Sequence, residues 1–166
     1  MESSTRAIAA NGYYKQRSWF LLLALAARIT LVLVWGWAGC SKIRSPDASV
    51  EAVRVYRVLP ESLLAPVGYG LPALELALAA LLLLGLRIRL TAALSAGLLV
   101  AFIAGIAQAG IRGLSIDCGC FGGGGEVGAA ETQYVKEILR DLLFLCASTW
   151  LVHRPTSRYA LDNRLC

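Results

Sequence analysis

The stretch "LALAALLLLGLRIRLTAALSAGLLVAFIAG", Leu76 to Gly105, decides the fold class. Two uncharged apolar runs flank the basic turn that holds Arg87 and Arg89. Followed outward to Leu64 and Ile111, each run reaches the ~20 residues that carry a helix across a ~30 Å hydrocarbon core. The rest of the chain agrees: 57% of its 166 residues are hydrophobic and only 16% charged, with a mean hydropathy of +0.62. This composition excludes an ordinary soluble domain and points to an integral membrane protein.

Four spans can be drawn, at about 19–40, 64–86, 90–111 and 134–152. They predict an all-α fold, a four-helix transmembrane bundle forming one domain over residues 1–166, with tails at 1–18 and 153–166. The lipid bilayer is its first partner. The fourth span carries charges in its outer turns, and long side chains such as Lys136 there snorkel to the interface or face the bundle.

Orientation follows from the basic residues, which gather in short cytoplasmic loops. One side holds Arg6, Lys15, Arg17, Arg87, Arg89, Arg154, Arg158 and Arg164. The other holds Lys42, Arg44, Arg54, Arg57, Arg112, Lys136 and Arg140, together with most of the acids, Glu131 and Glu126 among them. The counts nearly tie, so the short turn around Arg87 and Arg89 decides: both termini are expected in the cytoplasm of a bacterial inner membrane, and "DCGCFG" outside. The net charge of +5 is then explained by residues flanking the membrane, and no nucleic-acid partner is needed. "LVLVWGWAGC", Leu31 to Cys40, has the outline of a lipoprotein signal cleaved before Cys40. Its apolar run is long for such a signal and Trp37 stands where a Leu-like residue is usual, so it reads as a retained span.

Between the first two spans, Pro46 and Asp47 open a helix whose charged stripe (Glu51, Arg54, Arg57) lies beside an apolar one (Val50, Val53, Tyr56). A short amphipathic helix on the outer surface is expected, ended by Leu59-Pro60.

The chemistry lies in "SIDCGCFGGGG", Ser115 to Gly125. Two cysteines two residues apart bond to each other only through a bent backbone, which Gly119 permits, while Gly122 to Gly125 loosen the chain beyond them. Such a ring is a labile disulfide of the redox kind, on the side of the membrane where disulfides persist. As a staple it removes little unfolded-state entropy, and a bond from either cysteine to Cys40 makes a better one. A metal clip lacks ligands, since three cysteines share that side and His153 lies at the other end; no metal is expected.

"DCGCFG" after the third span, "YRVLP" (Tyr56 to Pro60) before the second, "LPALELALAALLLLG" (Leu71 to Gly85) within it and "ILRDLLFL" (Ile138 to Leu145) in the last helix resemble the methylamine utilisation protein MauE family, related to the broader DoxX-like group of four-helix membrane proteins. The resemblance runs from about Arg28 to Val152, and departs from the family at Asp141, where Asn is common. It implies a membrane redox protein that supports disulfide formation in exported proteins. In methylamine-utilising bacteria the client is the disulfide-rich light subunit of methylamine dehydrogenase, with thioredoxin-fold partners.

Read from the residues, a partner thiol attacks oxidised Cys118 or Cys120, and the second cysteine or Cys40 resolves the mixed disulfide. Arg112, Lys136 and Arg140 are the candidates to hold a thiolate, opposed by Asp117. No haem, flavin or nucleotide motif is visible and no covalent cofactor is expected, which leaves a lipid-soluble quinone as electron acceptor.

Arg28 and Glu75 both fall near mid-bilayer at ~1.5 Å per residue, and form a candidate intramembrane polar pair, either fixing helix register or serving protons or quinone. Trp35, Trp37 and Tyr69 read as interface aromatics. Cys146 reads as a small apolar residue in the fourth span, and Cys166 as an inert terminal thiol. Two other functions remain open: a non-catalytic membrane subunit that holds or matures a partner complex with a structural disulfide, and a small-solute transporter built on Glu75 and Arg28.

Overall fold

The computed structural model describes residues 2–128 and 132–154, with side chains from residue 19 onward. Glu131, Arg158, Arg164 and Cys166 lie outside the described residues, as do the side chains of Arg6, Lys15 and Arg17. Five helices and one two-stranded ladder follow in the order α1 (Glu2–Ile43), α2 (Pro46–Arg54), α3 (Glu61–Leu84), α4 (Ile88–Ile111), β1 (Ile116–Asp117), β2 (Gly125–Glu126) and α5 (Tyr134–His153). Among the described residues, three segments are long and apolar enough to cross a membrane: Trp19–Ile43, Glu61–Leu84 and Ile88–Ile111. The structure is thus that of a helical membrane protein. α5 packs along α4 and α1, but its first two turns carry Lys136, Glu137, Arg140 and Asp141.

The turn between α3 and α4 is set by Gly85. It adopts the left-handed backbone (φ 69°), and the amides of Gly85 and Leu86 bond back to the carbonyls of Leu82 and Leu81, which satisfies two helix-end acceptors and reverses the chain. Arg28 of α1 meets the same end of α3: its Nε donates to the Leu82 carbonyl at 2.5 Å and its Nη2 to that of Leu83 at 2.8 Å. Carbonyls at the helix end, where the regular intrahelical ladder stops, thus also meet a cation.

The core between the long helices holds Leu31 and Trp35 from α1, Leu78 and Leu82 from α3, Leu99 from α4 and Leu151 from α5. Trp35 is buried rather than interfacial, its indole N–H donating to Ser95 Oγ at 3.1 Å. Trp37, two residues on and across the helix, is exposed, as are Leu33, Leu83, Val100 and Leu143. An apolar exterior of this kind suits hydrocarbon, where backbone polar groups are satisfied within helices.

α2 lies against α3. Pro72 has no amide proton to give the Gly68 carbonyl one turn earlier, and Ser49 Oγ of α2 donates to that carbonyl instead at 2.7 Å. The helix ends at Arg54, short of Leu59-Pro60, because Arg57 takes a left-handed backbone (φ 52°). Arg112 donates to the carbonyls of Tyr56 and Arg57 at 3.4 and 3.3 Å, tying this turn to the end of α4. At the other end of the chain, the expected tail 1–18 continues α1 back to Glu2.

The glycine run is built in, not loose. Ile116 pairs with Glu126 and Asp117 with Gly125, antiparallel, and Gly122 to Gly125 all have positive φ. Gly124 (φ 91°) lies so close to α2 that an added Cβ would meet Ala52 Cβ at 2.5 Å. The loop is therefore docked on α2 by close backbone approach.

Candidate functional site

Two tyrosines fix the Cys-Gly-Cys loop. Tyr56, beyond the end of α2, donates its hydroxyl to the Cys118 carbonyl at 3.1 Å. Tyr134, the first residue of α5, accepts from the Ile116 amide at 3.0 Å and donates to the Leu114 carbonyl. Gly119 turns the chain between the cysteines at φ 65°, and its amide donates to Asp117 Oδ1 at 3.3 Å. Both thiols are thereby turned inward, Cys118 at 8% and Cys120 at 7% exposure, against Ile106.

The cysteines are free thiols, and the Cys120 amide lies 3.4 Å from Cys118 Sγ. They are not equivalent. A hydrogen bond from the Cys120 thiol holds Cys118 below the ordinary thiol range, while Cys120, as that donor and in its burial, is pushed well above it. Cys118 is the sulfur that ionises first, and Cys120 keeps its proton. Burial and the nearby thiols likewise push the Tyr56 phenol up, so it stays a hydrogen-bond donor.

Two cavities lie at the loop, one lined by the cysteines themselves and one by Ile116 and Asp117 just before them. One, about 370 Å³, is walled by Ala52, Val53, Val67, Leu71, Leu98 and Phe102, with both cysteines and Lys42 on its surface. The other, about 430 Å³, is polar, and is formed by Asp117, Gln133, Lys136, Glu137, Arg140 and their neighbours. On that side a carboxylate oxygen from each of Asp117 and Glu137 and the sulfur of Cys118 lie within 4.8 Å of one another. Three donors are one short of a closed tetrahedral metal site, and the Arg140 guanidinium on the same wall opposes a cation.

The expected site residues separate. Arg140 reaches the cysteines: its guanidinium bears on Cys118, stacks over Phe121 at 4.4 Å and pairs with Asp141 at 3.1 Å. Lys136 lines the polar cavity but is exposed and bonds Gln133 at 3.1 Å. Arg112 is spent on the Tyr56 and Arg57 carbonyls, so it does not serve the thiolate. Cys40 is exposed. It lies about 200° round the helix from Lys42, which faces the cavity, so α1 turns its thiol away from the pair.

Arg28 and Glu75 also part company. Glu75 is wholly buried and pairs with Lys42. Leu82, where Arg28 bonds, is about 10 Å further along α3. Sequence reasoning missed Lys42, Tyr56 and Glu137. The signals were weak: a lysine two residues after Cys40, and a glutamate one turn before Asp141, which looked like ordinary interface charges. Cys146 is exposed on α5, away from the cysteine pair's buried setting.

With this geometry in place, comparison with known proteins is informative. The family model of methylamine utilisation protein MauE matches residues 18–154. The chain belongs to the MauE family. It is 33% identical over 127 residues to methylamine utilization protein MauE of Paracoccus denitrificans, covering 76% of this chain and 68% of that protein. It is 41% identical over 100 residues to the protein of the same name from Methylophilus methylotrophus, covering 59% of this chain and 52% of that one, so the match spans about half of the latter's length. No solved structure matches the chain. MauE proteins are involved in methylamine utilisation, and the matched region contains all three apolar helices and the cysteine loop.

Proposed function

We propose that this MauE-family protein is a thiol-disulfide oxidoreductase of the bacterial inner membrane, which oxidises an exported cysteine-containing protein, through a thioredoxin-fold partner, and passes the electrons to a quinone. In this reading α5 is the fourth crossing, the termini are cytoplasmic and the Cys118-Cys120 loop is outside. The short turn with Arg87 and Arg89 supports that orientation.

One observation carries the reading: both cysteines line a cavity whose other walls are almost all apolar. A flat, apolar carbonyl compound fits such a space. Lys42 bonds only Glu75 among the described residues, so its ammonium retains donors for a carbonyl oxygen. The exchange balances without a further reagent. Two partner thiols reduce the Cys118-Cys120 disulfide, and the resulting dithiol gives two electrons and two protons to the quinone, which leaves as quinol.

The test is the redox state of the pair in respiring membranes, trapped by acid quenching and alkylated after unfolding because both thiols are buried. Oxidation that follows the quinone pool, with a partner captured as a mixed disulfide on Cys118 in Cys120→Ser, is the expected result. A pair held in one state whatever the quinone pool makes the loop structural and removes the reading.

A further inference from the structure

We propose that Glu137 is the acid-base group of Cys118, taking the thiol proton when the cysteine attacks a disulfide and returning it to the sulfur that leaves. This rests on the redox reading above and adds to it a catalytic residue and the wall on which exchange takes place.

A Glu137 carboxylate oxygen lies within 4.8 Å of Cys118 Sγ, and Glu137 Oε2 is buried without a hydrogen-bond partner among the described residues. A buried carboxylate oxygen left without a donor is costly unless a proton comes to it, and the nearby thiol is a source. α5 sets the position: Tyr134 anchors the helix start to the loop, and Glu137 follows three residues later, on the same face.

The other ionisable groups around this sulfur have partners of their own, and Arg140, a cation that bears on Cys118 as well, cannot take its proton. Asp117 on β1 accepts from the Gly119 amide. Tyr56, after α2, gives its hydroxyl to the Cys118 carbonyl. On α5, Arg140 is held by Asp141, and Lys136 by Gln133. Lys42 of α1 is paired with Glu75, and Cys120 donates to Cys118. Of the two carboxylates that line the polar cavity, Glu137 is the one with a buried oxygen that lacks a hydrogen-bond partner among the described residues.

The proton cycle closes. Cys118-SH passes its proton to the Glu137 carboxylate, and the thiolate attacks a disulfide R-S-S-R′. The Cys118-S-S-R bond forms as S-S breaks, and R′-S⁻ takes the proton back from the carboxylic acid. The same steps reversed let an incoming thiol release reduced Cys118. Glu137 lines the polar cavity, which shares no lining residue with the apolar one. Glu137 thus stands on a different cavity from the one proposed for the quinone.

The experiment uses the full chain in detergent, with Cys40, Cys146 and Cys166 changed to Ser, and oxidised glutathione as the disulfide. Glutathionylation of Cys118 is followed against pH in wild type, Glu137→Gln and Glu137→Asp. Glu137→Gln is expected to slow exchange about 10²-fold near neutral pH, with the deficit closing at alkaline pH as the thiol ionises unaided, and Glu137→Asp to restore part of the rate. If Glu137→Gln does not fold, the Asp variant decides by a shifted pH profile. Rates within twofold of wild type, or the same deficit at every pH, overturn the proposal. Slowed exchange in a protein whose pair never cycles in membranes keeps Glu137 in this role and removes only the quinone-linked function.

Discussion

Lys42 of α1 and Glu75 of α3 form an ion pair, Nζ to Oε1 2.5 Å, at the cavity that Cys118 and Cys120 also line. The carboxylate is wholly buried, and its second oxygen has no hydrogen-bond partner among the described residues. Two charges at this depth are costly singly and tolerable together. Lys42 also stands 5.6 Å from the Phe102 ring centre, so the pair ties α1, α3 and α4 together at the cavity.

Removing one partner therefore strands the other. Glu75→Leu or Lys42→Leu is expected to destabilise the protein by about 3–5 kcal/mol, and the double variant to recover most of that loss. Thermal unfolding in detergent decides. A double variant as unstable as the sum of the singles would show that the two side chains act independently.

The loop's docking gives a second prediction. Gly124→Ala forces a Cβ to within 2.5 Å of Ala52 Cβ at a left-handed φ, a cost of about 1–3 kcal/mol from overpacking alone. Undocking exposes Cys118 and Cys120, so their alkylation under native conditions is expected to rise well above that of wild type. Unchanged alkylation would mean that α2 gives way instead.

Reactivity should separate the two thiols by pH. Cys118 is held below the ordinary thiol range by its bond from Cys120, and Cys120 above it. The thiolate is the reactive form, so as pH rises Cys118 is alkylated first. Cys120→Ala removes the donor and is expected to raise the pH at which Cys118 reacts. Mass spectrometry of partially alkylated protein checks both points, and earlier labelling of Cys120 contradicts the assignment.

Arg28 offers a test of the opposite end. Its two bonds to the carbonyls of Leu82 and Leu83 involve a charged donor in a buried setting, where each is worth about 1.5–3 kcal/mol. Arg28→Met, which removes both, should lower stability by about 3–6 kcal/mol and leave Cys118 alkylation as in wild type, since it acts on the α3 end and not on the loop. A change at Cys118 would couple the two ends of the helices.

Much was legible from local pattern. The apolar runs on either side of Arg87 and Arg89 specify two membrane-capable helices, because length and lack of charge are sufficient for that reading. Gly85 marks the turn through its backbone freedom alone. The cysteine motif and its family likewise follow from residue order, and all of these are local properties of the chain.

Partners across the fold required the tertiary structure. Periodicity left Arg28 and Glu75 as a plausible pair, since depth along a helix is readable but the facing residue is not; packing gave Glu75 to Lys42 and Arg28 to carbonyls. Four glycines suggested slack, whereas close approach to Ala52 makes them a fitted segment. Glu137 has no motif of its own, and acquires its place only because Tyr134 pins the start of α5 to the cysteine loop. The sequence by itself determined which segments are apolar, where the chain turns and which atoms can carry redox chemistry, because those depend on residue type and near neighbours. Which charges meet, which thiol ionises and which face each cavity offers were decided by the tertiary structure, because those depend on distances between residues far apart in the chain.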